Sequence, residues 1–223
     1  MLKILKKLKE DKSYNNLLEK VSREKMVATF VPSFLRPFVA AGIYEELKES
    51  IVVLTPTLKE AEEFYESISN FTSQAVLFPD REVLLWEKLI PNKEILAKRV
   101  QVLYKVQTEP IIVIVAVQTF IQEIPHFKLS LLEPLTLKEG KKSEFSYLLE
   151  KLVRMGYERT LLVENRGEFS VRGGIVDIFD PLMEHPVRIE FFGDEIVSLR
   201  HFSVASQCSI ATCAKIQIFP CRE

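Results

Sequence analysis

The stretch 166–202 constrains the fold of this chain most strongly, because it reads as four short strands folded over glycines. Residues 169–171 and 175–179 are largely apolar runs separated by Arg172-Gly173-Gly174. Residues 187–192 and 195–202 form a second pair of runs across Gly193-Asp194. Adjacent glycines permit positive φ and a tight bend, and a two-residue turn between such runs is typical of a β-hairpin. The stretch therefore predicts a small antiparallel sheet.

Alternation along 187–192 predicts which way each side chain points. The odd-numbered residues are apolar and belong on the buried face: Val187, Ile189 and Phe191. The opposite face carries Arg188, Glu190 and Phe192, and Arg172 is expected at the tip of the first bend. A large aromatic among charges is uncommon unless a partner covers it, which favours a recognition surface over a catalytic site. The alternative is that Phe192 packs under a neighbouring loop and the arginines are ordinary solvated charges.

The first part of the chain alternates strand-like and helical segments. Residues 51–54, 76–78 and 111–117 are apolar enough to predict buried parallel strands. Thr57 and Glu60 have the spacing of a capping box at a helix start, and a second helix is predicted over 93–104. This order predicts an α/β domain with a parallel sheet.

The order of elements changes near residue 128, where we predict a domain boundary within 125–130. A strand and one helix come next, and the helix carries an apolar stripe at helical spacing: Phe145, Leu148, Leu149 and Leu152. Gly156 is well placed to end this helix, and the remaining strands form the antiparallel sheet. We therefore predict an α/β domain over 1–127 followed by a small α+β domain over 128–218.

Composition excludes several classes of function. The formal net charge of −1 supplies no overall attraction for phosphate backbones. No apolar run approaches the roughly 20 residues that span a bilayer, so we expect a cytoplasmic protein without a membrane partner. The cysteines and histidines lack the spacing of a metal site, and neither metal nor cofactor is expected: Cys208, Cys213, Cys221, His126, His185 and His201.

The carboxylates within the sheet region do not predict an enzyme. Asp194 and Glu195 stand at a hairpin turn, and Glu190 shares a strand face with Arg188, so turn chemistry and cross-strand pairing account for them. Asp177 completes the group. No nucleophile motif accompanies these residues, and we expect no catalytic residue in this chain.

The two glycine-bearing segments together resemble the second domain of the bacterial transcription-repair coupling factor family and, more distantly, the excision-repair protein UvrB. The matching residues are Arg-Gly-Glu-Phe-Ser-Val-Arg-Gly-Gly-Ile-Val-Asp-Ile-Phe and Val-Arg-Ile-Glu-Phe-Phe-Gly-Asp-Glu-Ile. Both families use this domain to bind UvrA, the damage-recognition subunit. The resemblance places UvrA-contacting residues at Arg172, Arg188 and Phe192. It also implies that 219–223 begins a segment returning to the first domain.

By analogy with UvrB, the first domain resembles a P-loop (RecA-like) domain whose nucleotide loop is degenerate. A phosphate-binding loop needs glycines, a lysine and a hydroxyl, but Gly42 is the only glycine in the first 139 residues. The analogous segment is 30–37, in which Arg36 stands near the lysine position and Pro37 near the hydroxyl position. Proline has no N–H to donate. We therefore expect no ATPase activity.

Where UvrB carries a tyrosine-rich hairpin that clamps DNA, this chain has only Trp86 as an aromatic residue, in a shorter segment. These features predict an interaction module that recruits UvrA, with RNA polymerase and DNA reached only through family domains that this chain does not contain. Two alternatives remain open: a UvrB-like scaffold that contacts DNA directly, and a structural or autoinhibitory role. Whether the chain is a fragment or a short natural protein also stays open.

Overall fold

A computed structural model describes residues 8, 10–81, 92–122 and 133–222. The described chain divides into two compact units, the first comprising Met1–Phe78 with Lys105–Gln122 and the second Pro79–Tyr104 with Glu123–Glu223. Residues 79–104 thus group with the second unit. The predicted boundary within 125–130 and the residue Trp86 lie outside the described residues, so the domain limits 1–127 and 128–218 stay predictions.

The first unit is an α/β layer built on a parallel sheet. Its helices and strands follow in chain order: α1 (Lys12–Arg23), a 3₁₀ turn (Ser33–Leu35), α2 (Arg36–Leu47), β1 (Ile51–Thr55), α3 (Leu58–Ser69), β2 (Ala75–Leu77), α4 (Lys93–Thr108, whose first twelve residues belong to the second unit), β3 (Ile112–Ala116) and α5 (Val117–Phe120). The sheet order is β1-β3-β2, and both pairings are parallel. The predicted parallel sheet is confirmed.

The core of the first unit lies between this sheet and the helices α2 and α3. All five residues of the central strand β3 are buried, as a strand with two neighbours and a helix against it requires. The Thr57 Oγ1 accepts a hydrogen bond from the backbone N–H of Glu60 at 3.2 Å and begins α3 as predicted. The core cluster of buried residues between the sheet and these helices comprises Ala41, Tyr44, Ala61, Ile68, Ala75, Ile112, Ile114 and Ala116.

The prediction that residues 51–54 form a fully buried strand is wrong for one face of β1. Ile51 and Val53 pack against the core, whereas the side chains of Val52 and Leu54 are half exposed. The reason is topological, because β1 lies at the edge of the sheet rather than in its centre.

The second unit is an α+β structure with two antiparallel sheets. Its further elements follow in chain order: β4 (Leu135–Lys138), α6 (Phe145–Arg154), β5 (Glu158–Arg159), β6 (Glu168–Arg172), β7 (Ile175–Ile178), β8 (Val187–Phe192), β9 (Glu195–Phe202), β10 (Ser209–Thr212) and β11 (Lys215–Ile218). Strands β4 and β11 pair with each other. The larger sheet has the order β10-β9-β8-β7-β6-β5, in which only the short β5–β6 pairing is parallel. Both predicted hairpins are confirmed.

Helix α6 covers one face of the larger sheet. Leu148 and Leu152 are fully buried in a cluster that also holds Val176 and Ile189. The helix is followed by Gly156 at φ +90°, a left-handed conformation that favours glycine and terminates a helix. The predicted helix and its end are therefore confirmed.

Within the described ranges, no helix combines the length and the apolar character that crossing a membrane requires.

Candidate protein-interaction face

Strand register aligns a row of polar side chains, which includes the predicted Arg188, on one side of the six-stranded sheet. Ser170, Asp177, Arg188 and Arg200 lie directly opposite one another across β6, β7, β8 and β9. Because side chains alternate along a strand, these four point away from the core under α6. We call this side the outer face and define it by these residues together with Arg172, Glu190 and Phe192.

A buried carboxylate joins the two predicted arginines on this face. Asp177 has no exposed side-chain surface, and its carboxylate accepts three hydrogen bonds. The Arg188 Nε donates to Oδ1 at 2.7 Å and its Nη2 to Oδ2 at 2.9 Å, while the Arg172 Nη2 donates to Oδ2 at 2.6 Å. Charge-assisted bonds of this kind are about twice as strong as neutral ones. We call Asp177, Arg172 and Arg188 the arginine clamp.

The guanidinium of Arg188 is fixed by hydrogen bonds and by an aromatic ring. Only 15% of its side chain is exposed, its Nη1 donates to the backbone oxygen of Gln207 at 3.2 Å, and its guanidinium lies 4.5 Å from the centroid of the Phe202 ring. The hydrogen bonds to Asp177 raise the pKa of Arg188 above its ordinary value. Phe202 itself packs with Val163 and Phe179. Arg188 is therefore bound into the sheet.

Arg172 is more accessible than Arg188. It ends β6 next to Gly173, whose φ of +60° makes the predicted bend. The side chain is 47% exposed. Within the described part of the chain its hydrogen bonding is limited to the Nη2 contact with Asp177, so the Nε and Nη1 donors are available to an external acceptor.

Phe192 is the most exposed aromatic residue of the outer face. Its side chain is 81% exposed, while its neighbour Phe191 packs against the core, with its ring centroid 5.2 Å from that of Phe145. A register shift between Glu190 and Phe191 separates the two. The interpretation in which Phe192 packs under a loop is therefore wrong, and the water-facing placement is confirmed.

The predicted trio is brought to the same region of the sheet. Arg172 lies opposite Ile175, and Ile175 lies opposite Glu190, so Phe192 follows one row further along β8. Neighbouring strands are about 4.8 Å apart, which puts Arg172 and Phe192 on strands about 10 Å apart. Glu190 lies between them and forms an ion pair with Arg200.

Two features of the face escaped sequence reasoning. Asp177 was recognised only as a carboxylate without a catalytic setting, and its place between two arginines depends on register across three strands. Arg200 was not singled out, although its position in the β9 alternation gave the only available signal. Both predicted arginines thus already bind a carboxylate within the chain, that of Asp177.

Asp194, at the turn between β8 and β9, has structural partners. The Asp194 Oδ1 accepts the backbone N–H of Phe145 at 3.1 Å, at the start of α6, where a negative charge stabilises a helix. The Asp194 backbone oxygen accepts the N–H of Ser143 at 2.7 Å. In the described ranges, no cluster of three or more His, Cys, Asp or Glu side chains has a geometry that could hold a metal ion.

Arg36 and Pro37 lie in the first unit, at the start of α2. The exposed Arg36 donates through Nε to the backbone oxygen of Val31 at 3.0 Å, and Pro37 is buried. Both residues line a cavity of about 620 Å³ that also includes Glu60 and Glu63. Two carboxylates beside a single arginine make this cavity unfavourable for a polyphosphate.

Comparison with known proteins finds a family match in the C-terminal part of the chain and relatives that align with nearly all of it. Residues 135–223 match the model of the UvrB interaction domain family. The chain is 34% identical over 223 residues to the transcription-repair-coupling factor of Mycobacterium tuberculosis (strain CDC 1551 / Oshkosh), an alignment that covers 95% of this chain and 18% of that protein.

Two further relatives carry the same description. The transcription-repair-coupling factor of Bacillus subtilis (strain 168) is 30% identical over 222 residues, which are 98% of this chain and 19% of that protein. That of Escherichia coli (strain K12) is 32% identical over 188 residues, which are 83% of this chain and 16% of that protein. The chain spans less than a fifth of the length of these curated relatives.

Proposed function

We propose that this chain is a protein-interaction module that recruits UvrA in transcription-coupled nucleotide excision repair. Its similarity to the transcription-repair-coupling factors and the match of residues 135–223 to the UvrB interaction domain family support this proposal. The observation that carries this proposal is Phe192, an aromatic side chain left 81% exposed on a charged face. The face lies within the residues that match the interaction-domain family.

The outer face has the composition of a binding hot spot. Interfaces take most of their affinity from a few aromatic and arginine residues surrounded by polar groups. Phe192 would fill an apolar pocket on the partner. Arg172, two of whose donor nitrogens have no acceptor among the described residues, would pair with a carboxylate beside that pocket. Arg188 would contribute its remaining 15% of exposed surface and the rigidity of the clamp.

For the first unit we propose a degenerate RecA-like scaffold without nucleotide binding. Supporting this, the segment analogous to the phosphate-binding loop places Pro37 at the helix start, where a donor N–H would be needed, and ties Arg36 to the backbone of Val31. Thermal denaturation with and without Mg-ATP tests the proposal. We expect an unchanged midpoint, and a rise that saturates with ATP would refute it.

Partners other than UvrA would belong to the remainder of a coupling factor. We propose that RNA polymerase and DNA are reached through other domains of such a factor, and that the module works in the cytoplasm. No charge pattern of the outer face favours direct DNA binding, since its three arginines stand beside two carboxylates: Arg172, Arg188, Arg200, Asp177 and Glu190. Weak, strongly salt-dependent DNA binding would instead support the scaffold alternative.

Calorimetric titration of purified UvrA with this chain tests the recruitment role. We expect Phe192→Ala to raise Kd by about 30- to 1,000-fold, which corresponds to about 2–4 kcal/mol for a hot-spot aromatic. Arg172→Ala and Arg188→Ala are also expected to weaken binding, and Arg172→Ala should reduce its dependence on salt, since one exposed charged contact is removed.

Matched controls come from the helix on the opposite side of the sheet. Tyr147 is a half-exposed aromatic of α6, and Arg154 is an exposed arginine paired with Glu150 one turn earlier. Tyr147→Ala and Arg154→Ala should bind UvrA like the wild type. A folded wild-type chain that does not bind UvrA would overturn the recruitment role, and equal losses in the control variants would place the interface elsewhere.

A further inference from the structure

We propose that Asp177 is a positioning residue of the UvrA-binding face, a role that rests on the proposed function. Asp177 is fully buried, so a partner cannot touch it. Whatever it contributes to recognition must pass through the side chains that it binds. Those side chains are Arg172 and Arg188, two of the three residues proposed to carry the interface.

The hydrogen bonds of Asp177 are directed entirely at these arginines. Both carboxylate oxygens are used, Oδ1 by Arg188 and Oδ2 by Arg188 and Arg172. Ser170 lies directly opposite on β6 and is equally buried, yet its hydroxyl has no hydrogen-bond partner among the described residues. The Asp177 carboxylate thus makes no hydrogen bond to Ser170. It connects two guanidinium groups that come from different strands.

The bridge matters because of what it does to Arg172. A half-exposed arginine at the end of a strand otherwise samples many rotamers, and ordering such a side chain on binding lowers affinity. The 2.6 Å bond to a buried, fixed carboxylate holds the planar guanidinium in one orientation before the partner arrives. Its Nε and Nη1 donors then have fixed directions, and each can donate one hydrogen bond to an acceptor on the partner.

Arg188 fixes the position of the Asp177 carboxylate. Its contacts with Gln207 and Phe202 fix its own guanidinium, and its two hydrogen bonds fix both oxygens of Asp177. Arg188, fixed by the sheet, therefore orients the Asp177 carboxylate, and that carboxylate orients the guanidinium of Arg172. In this arrangement Asp177 contributes to recognition through orientation rather than through charge presented to UvrA.

A double-mutant cycle on UvrA affinity tests the inference. Asp177→Asn keeps the size of the side chain but removes its charge, and we expect it to raise Kd by about tenfold, the scale of one well-placed charge-assisted bond. If Asp177 acts through Arg172, the same change made in Arg172→Ala should raise Kd much less than in the wild type. Equal factors in both backgrounds would overturn the positioning role. Glu150→Gln on α6, a carboxylate exposed on the opposite side, is the matched control.

A second variant keeps the test valid if Asp177→Asn does not fold. Arg172→Lys retains the positive charge but replaces the planar fork by a single ammonium group. We expect it to bind UvrA at least about fivefold more weakly than the wild type, on the scale of one lost charge-assisted bond. Wild-type affinity would mean that charge alone matters and would refute the inference.

The arginine clamp can be tested in the absence of UvrA by measuring proton exchange. The Arg188 Nε–H signal in a ¹⁵N NMR spectrum should exchange slowly with solvent in the wild type. Fast exchange of this proton would refute the clamp. A slowly exchanging Arg188 in a chain that fails to bind UvrA would instead overturn only the proposed function, and with it the relevance of the clamp to recognition.

Discussion

Replacing Phe191 and Phe192 by alanine, one at a time, tests the placement of the outer face with two chemically identical changes. The two residues are adjacent in β8. Phe191 packs against the core with its ring nearly perpendicular to that of Phe145, whereas Phe192 is 81% exposed. Because of this difference in burial, the first change should lower the free energy of unfolding and the second should leave it nearly unchanged.

The expected magnitudes follow from burial. Removing a well-packed phenylalanine typically costs about 3–5 kcal/mol, and because Phe191 is only partly covered we expect a loss of about 2–4 kcal/mol in the free energy of unfolding. Phe192 has about a fifth of its side chain covered. Full burial of phenylalanine is worth at most about 3 kcal/mol, so Phe192→Ala should cost about 0.5 kcal/mol, and less than about 1 kcal/mol with the lost strand propensity included.

Native-state hydrogen exchange is the suitable assay, because the chain divides into two units and one unfolding transition is not guaranteed for such a protein. The protected amides of β8, such as that of Ile189, report the free energy of opening of the second unit. Similar losses for Phe191→Ala and Phe192→Ala would refute the assignment of Phe192 to the solvent side. In that case its use as an interface anchor would lose its structural basis.

Three further outcomes are expected. Glu168 accepts three hydrogen bonds from Glu164 and Asn165; burial raises its pKa, but these donors outweigh burial and the pKa is lowered. The contribution of Glu168 to stability is therefore present above about pH 4.3, its pKa in the unfolded chain, and is lost as the pH falls through the lower pKa of the folded state. In urea titrations from acid to neutral pH, Glu168→Gln should lose less free energy of unfolding on acidification than the wild type. An unchanged pH profile would contradict this. Asp180→Ala should destabilise the second unit by about 3 kcal/mol, because it strands buried donors that include the Phe219 N–H at 2.6 Å; a loss under about 1 kcal/mol in denaturant unfolding would count against that network. Gly174→Ala should lower the thermal midpoint more than Gly173→Ala, since the added Cβ would lie 2.8 Å from a backbone oxygen at the first position and in open space at positive φ at the second; the reverse order would be inconsistent with the bend.

Local pattern was sufficient to predict most of the elements. The alternation of 187–192 predicted which side chains lie on the buried face and which do not, and the glycines at 173–174 and 193 predicted both hairpins. The helix over Phe145–Arg154 was predicted from its apolar stripe and from Gly156. These predictions succeed because alternation, helical spacing and positive φ are properties of a few neighbouring residues.

Prediction was weaker wherever the answer depended on how strands are ordered. Residues 51–54 have the composition of a buried strand, but β1 lies at a sheet edge, and Val52 and Leu54 are half exposed in consequence. The extent of α4 was also underestimated, since the helix continues to Thr108 rather than ending near residue 104. Strand order and helix length are decided by packing between distant segments, which a short window of sequence does not contain.

The sequence by itself determined that Arg188 and Phe192 share a face of an antiparallel sheet and that Phe191 does not. Only the tertiary structure decided that Arg172 joins this face and that Asp177 lies between the two arginines. It also showed that Arg188 is fixed within the sheet and that, among the described residues, two donor nitrogens of Arg172 have no acceptor. The physical reason is register. Side-chain hydrogen bonds that link three neighbouring strands depend on how those strands align, and the alignment minimises the free energy of the whole sheet rather than of any one strand.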